Sequence, residues 1–192
     1  MTISQYITQL NKYYKTGLSG EHTYRGELAD LIHALSPGFM VTNEPRQIEC
    51  GAPDFIVTRG SVPVGYIEAK DIGADLGSKQ YKEQFDRYKK SLNNLIITDY
   101  LTFQLFRDGV LVATISIGHI RDGKIKSVSG NYPVLEEIIN EFCSYGGQTI
   151  RSASRLSKMM AGKARLLADV IEKALTVDNG DNHVYDTENT SL

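Results

Sequence analysis

The stretch GAPDFIVTRGSVPVGYIEAK, residues 51–70, places Asp54, Glu68 and Lys70 among Phe, Ile, Val and Tyr. Burying any of these charges is costly unless it is paired or bound to a metal. Side chains alternate faces along a strand, so Glu68 and Lys70 share a face and Ala69 takes the other. If DFIVT and YIEAK pair as a hairpin turning near Gly60 to Val62, Asp54 falls roughly opposite Glu68, on a shared face about 5 Å away. Two carboxylates so close repel, and one tends to keep its proton unless a cation lies between them. A divalent metal resolves that conflict. Oxygen ligands with no His or Cys cluster favour Mg2+, with Mn2+ as a substitute, over zinc; Mg2+ takes one or two carboxylates and adds water and phosphate oxygens. Such an ion acidifies a bound water and offsets charge growing on a phosphate. Lys70 beside it can orient or deprotonate the water, or stabilise the pentavalent phosphate. The chemistry described is phosphodiester hydrolysis.

Those residues need a scaffold, and the flanking pattern supplies one. Ile3, Tyr6, Ile7 and Leu10 recur at helical spacing, predicting a first helix that ends near Gly17. Thr23 is a suitable cap for a second helix through Leu35, stopped by Pro37 and Gly38. Three strands follow, MVTNEPRQIE, DFIVTR and VGYIEAK, expected as an antiparallel meander. SKQYKEQFDRYKKSL reads as a helix and NLIITDY as a buried strand. LTFQLFRDGVLVATISIG reads as an alternating pair turning at Asp108-Gly109. Helices at about 132–143 and 152–175 complete the pattern, and the polar end, VDNGDNHVYDTENTSL, is expected to be disordered or a severed linker. The organisation expected is a domain over residues 1–150, a connector helix over 151–176 and a polar tail over 177–192.

A chain of 192 residues with 41% hydrophobic and 23% charged residues suits one globular domain, and no apolar run is long enough to span a bilayer. The start lacks a secretory signal, so cytoplasmic residence is expected and no membrane partner. Cys50 and Cys143 are too few for a disulfide framework and read as reduced, structural thiols. The four histidines form no ligand spacing. A net charge of −2 conceals local basic excess at 78–91 and 151–175. Such runs are permissive for nucleic acid but are commonly solvated helix faces.

Pro53-Asp54 followed by Glu68-Ala69-Lys70 resembles the PD-(D/E)xK nuclease superfamily, which implies an α/β fold with a restriction-endonuclease-like core, a central mixed β-sheet flanked by helices. In that likeness Asp54, Glu68 and Lys70 are catalytic, and Glu27 on the preceding helix stands where many members supply another metal ligand. Gln84 and Tyr88 in KEQFDRY resemble the Q-x-x-x-Y element of the RecB-like branch, and their spacing puts both on one helix face. A wider likeness, through HTYRGELADLI, VTNEPRQIECGAPDFIV, GYIEAKDIGADL, QFDRYKKSLNNLIITDYLTFQLFRDG and LSKMMAGKARLLADVI, is to the amino-terminal nuclease region of type IIG and type ISP restriction-modification enzymes. It implies Mg2+-dependent cleavage of double-stranded DNA, with both strands cut when a second nuclease copy meets the first. Recognition and methylation would reside in a downstream methyltransferase or specificity part, in some members with a helicase. Neither N-P-P-Y nor a G-x-x-x-x-G-K-[ST] loop occurs here, so the expectation is an isolated nuclease module.

Plainer readings stand beside each assignment. The D…ExK residues could be surface charges on an exposed edge, although apolar strands are a poor place for solvated charge. Glu27 could pair with Arg25 or His22 on the helix surface, Gln84 could be only a polar position and Tyr88 a packing residue. At the level of function, the alternatives are a non-cleaving nuclease-like DNA-binding or assembly module and a stand-alone repair or junction nuclease.

Overall fold

The computed structural model describes residues 1–43 and 50–146. Helix α1, Ile3–Tyr14, opens with a capping box: the Thr2 hydroxyl accepts from the Gln5 N–H, and the Gln5 side chain accepts from the Thr2 N–H. Its stripe of Ile3, Tyr6, Ile7 and Leu10 is buried. Helix α2, Glu21–Leu35, starts two residues before the Thr23 cap that the sequence suggests, behind Gly20 and without a side-chain cap. Burial of Tyr24, Leu28, Leu31 and Ile32 compensates, each large apolar side chain contributing roughly 1.5–3 kcal/mol.

The central sheet has six strands in chain order: β1 Met40–Asn43, β2 Phe55–Arg59, β3 Val62–Ala69, β4 Asn94–Thr98, β5 Thr102–Arg107 and β6 Val110–Ser116. All neighbours are antiparallel except β3 and β4, which run parallel across the crossover helix α3, Lys79–Ser91. Ser78 caps α3, accepting from Gln80 N–H. The β5–β6 turn falls at Asp108-Gly109, where both residues have positive φ, as that hairpin signal implies. A second sheet, β7 Gly118–Arg121 with β8 Lys124–Ser127, has no counterpart in the sequence expectations. Helix α4, Tyr132–Ser144, follows it.

One sheet face presents Phe55, Val57, Ile67, Ala69 and Ile96 to the core formed with α1, α2 and α4. The other presents Leu95, Ile97 and Phe106 to Phe85 and Tyr88 of α3. The architecture is therefore α/β, a mostly antiparallel mixed sheet flanked by helices, and it is compatible with a restriction-endonuclease-like core. The described residues belong to one compact unit, Met1–Gly147. Residues 44–49 of the expected first strand, the connector helix at 151–176 and the tail at 177–192 lie outside the described residues, as does the end of the 1–150 domain. Among the described residues no helix is long and apolar enough to cross a membrane.

Candidate active site

The β2–β3 hairpin decides which residue Asp54 meets. Arg59 pairs with Val62 across a two-residue turn, Gly60-Ser61, and Thr58 pairs with Pro63. Continued without interruption, that register would set Asp54 against Ile67. Instead Val57 pairs with Gly65, so Val64 is an extra residue, a β-bulge, and Phe55 then pairs with Ile67. Asp54, one step beyond, comes opposite Glu68. The bulge is fastened by Asn94, whose side-chain amide donates to Val64 O and Phe142 O, each at 2.8 Å. Only glycine fits at 65: a Cβ there would lie 2.5 Å from the Phe142 ring and 2.8 Å from Asn94 Nδ2.

At this end of the sheet the charged residues converge. Asp54 Oδ2 accepts from Ala69 N–H at 2.8 Å, and Oδ1 accepts from Arg25 Nη2, which reaches in from α2. Glu68 Oε1 accepts from Lys70 Nζ at 2.6 Å and from Gln84 Nε2 at 2.8 Å. Lys70 Nζ also lies 5.3 Å from the centre of the Tyr81 ring, with Phe85 stacked behind it. Gln84 is one turn from Tyr88; Tyr88 is buried and packs over Gly51, next to the Pro53-Asp54 segment. Helix α3 thus roofs the Glu68–Lys70 side, while α2 supplies the partner of Asp54.

Glu68 is only 2% exposed. Burial, and then the negative charge of Asp54, push its pKa up to about 7 against the hydrogen bond and charge of Lys70. Its second oxygen, Oε2, is buried without a hydrogen-bond partner. A buried carboxylate oxygen left over beside a second carboxylate is the donor chemistry a hard divalent cation needs, so the pair fits Mg2+. Two carboxylates suffice for that ion when water and phosphate complete its shell. Among the described residues no group of three or more His, Cys, Asp or Glu side chains comes together to hold a metal. Glu27 is half-buried on α2, near Tyr6; burial first, then neighbouring Tyr100, Asp99 and Glu27, raise the phenol's pKa.

Three contributors escaped the sequence reading. Arg25 was legible only as a partner for Glu27, because nothing in HTYRGEL shows that α2 aims it at Asp54. Asn94 is only the first residue of the NLIITDY strand in the sequence pattern, with no role assigned to it, and it is 3% exposed. Asp99, buried beside Tyr100 at φ 70°, accepts from Thr102 N–H at 2.6 Å, Leu101 N–H at 3.2 Å and Gly73 N–H at 3.1 Å. It ties the loop after Lys70 to the β4–β5 turn, and its signal, Thr-Asp-Tyr between two apolar runs, is that of a turn.

No family model matches the chain, and no curated protein matches it. Among solved structures, a chain of a cryoEM structure of a DrdV–DNA complex is similar in fold, with a TM-score of 0.58 at 18% sequence identity. The likeness covers 76% of this chain and 14% of that one, so this chain spans about a seventh of the length of the neighbour.

Proposed function

We propose that this chain is a Mg2+-dependent DNA endonuclease domain, the nuclease module of a restriction-modification system. The observation that carries the reading is the Asp54–Glu68 pair on adjacent strands with Lys70 hydrogen-bonded to it and one buried Glu68 oxygen left unpartnered. The fold likeness to a protein solved on DNA supports a DNA substrate. Asp54 and Glu68 would hold the ion, with Glu27 a further ligand if α2 shifts toward them. When bound, the ion would acidify a water and neutralise charge on the phosphate. Lys70 donates to the attacking water or to the phosphate oxygens, releasing its bond to Glu68 as it does so. Gln84 holds Glu68 in one rotamer, and Tyr88 packs beneath the site one turn along the same helix. Double-stranded DNA is the substrate, a second copy is required to cut both strands, and methylation and target recognition belong to downstream parts or subunits.

One observation favours a second reading. Arg25 already neutralises Asp54, as it would in a nuclease-like module that binds DNA without cutting it. Plasmid nicking by the full chain and by Lys70→Ala, with Mg2+, with Mn2+ and with EDTA, separates the two. Metal-dependent nicking by the wild type that falls at least a hundredfold in the variant is expected. Wild-type DNA binding with no nicking under either metal establishes the non-cleaving module instead.

A further inference from the structure

The β7–β8 hairpin has two chemically opposite faces. His119 pairs with Lys126 and Arg121 with Lys124, so strand alternation gathers His119, Arg121, Lys124 and Lys126 on one side. All four are exposed. Like charges directly opposed across an antiparallel pair are destabilising. Within the hairpin the one acid, Asp122, sits in the turn, 3.8 Å from Arg121 Nε and largely in water. A surface selected for stability alone would alternate signs here.

The reverse face is apolar and anchored. Ile125 is 4% exposed, and its N–H donates to Asn11 Oδ1 of α1 at 3.0 Å. Ile120, though 38% exposed, lies against the loop that leaves the lysine strand: a Cβ on Gly73 would lie 2.5 Å from Ile120 Cδ1, and Gly73 holds φ at +83°. Gly73 is three residues beyond Lys70, at most about 10 Å along the chain. The hairpin therefore rests its apolar side on the rim of the candidate active site and turns its cations outward. Helix α3, a second basic stretch among the described residues, differs because Glu83 and Asp86 interrupt its lysines and Lys82 pairs with Asp86 at 2.9 Å.

We infer that the β7–β8 hairpin is a phosphate-gripping arm that holds the duplex DNA backbone flanking the bond to be cut. The position of that bond rests on the proposed nuclease reading; the grip itself does not. Duplex DNA carries one negative charge per about 1.7 Å of axis, so a cluster of cations releases condensed counterions on contact.

The test compares the full chain with Arg121→Gln/Lys124→Gln/Lys126→Gln and with Lys79→Gln/Lys82→Gln/Lys90→Gln, which removes equal charge from α3. Binding to a labelled duplex is measured across a salt series without Mg2+, after melting curves establish that both variants fold. The hairpin variant should bind more weakly and lose about 0.9 from the log K against log salt slope for each cation removed. Its Mg2+-induced melting shift should equal that of the wild type. Unchanged affinity and slope, or a loss no greater than in the α3 variant, overturns the inference. Hairpin-dependent binding without metal-dependent nicking leaves the grip standing and overturns only the nuclease reading.

Discussion

Glu68 carries the sharpest conflict at the residue scale. It is held beside Asp54, and burial with that neighbouring charge lifts its pKa from 4.5 to about 7. In the metal-free chain the folded state therefore keeps a proton that the unfolded state releases between pH 4.5 and 7. Stability contributed by that proton is present below pH 4.5 and is lost as pH rises through 7, by up to about 3 kcal/mol at 1.36 kcal/mol per unit. Urea unfolding in EDTA should show a steeper fall over that window for wild type than for Glu68→Gln, which carries no proton to lose. Asp99, also raised by burial, titrates in both proteins, so the difference between them reports the Asp54–Glu68 pair. Equal slopes would mean that Glu68 is already charged and stabilised in the metal-free fold. Saturating Mg2+ should flatten the wild-type slope, because a bound cation favours the carboxylate.

At the scale of elements, the site depends on a bulge. Asn94 spans β4, the Val64 carbonyl on β3 and the C-terminal turns of α4, so its amide sets the register that brings Asp54 opposite Glu68. Replacing it with Leu takes that donor from the buried Phe142 carbonyl and the part-buried Val64 carbonyl, at about 1–3 kcal/mol each. Asn94→Leu should therefore lose about 2–6 kcal/mol in urea unfolding, and its remaining folded fraction should show a weakened Mg2+-induced melting shift. A variant as stable as wild type would show that β-sheet pairing alone holds the bulge. This element also marks the limit of what the sequence discloses. Strand parity put Glu68 and Lys70 together, and a loose turn near Gly60 to Val62 set Asp54 against Glu68. The structure reaches the same pairing by a tight turn and an extra residue, which parity cannot distinguish from a longer turn. The β7–β8 hairpin is marked only by Asp122-Gly123 between two four-residue strands, too short for alternation to stand out. Arg25 and Asn94 act through contacts 29 and 48 residues away in the chain, which no local pattern encodes.

Taken as a whole, the molecule places the site at the common end of two cores. Asp54 answers to α2, which belongs to the core on one sheet face, and Glu68 answers to α3, which closes the other. A cation shared by the two carboxylates would tie both faces through the sheet end and would compete with Arg25 for Asp54 and with Lys70 for Glu68. Binding to the folded state alone stabilises it by mass action, so the effect should reach every region whose opening breaks the site. Amide hydrogen exchange should then slow on adding Mg2+ in α2 and α3 together, and at Ala69, whose N–H is bonded to Asp54. Protection of α3 alone would place the ion on Glu68 without Asp54, and Arg25 would remain the partner of Asp54 during turnover. Asp54→Asn should abolish the protection in both helices while leaving exchange in β5 and β6, away from the carboxylates, as it is in the metal-free wild type. Loss of protection confined to α2 in that variant would show that the two cores respond independently and that no single ion joins them.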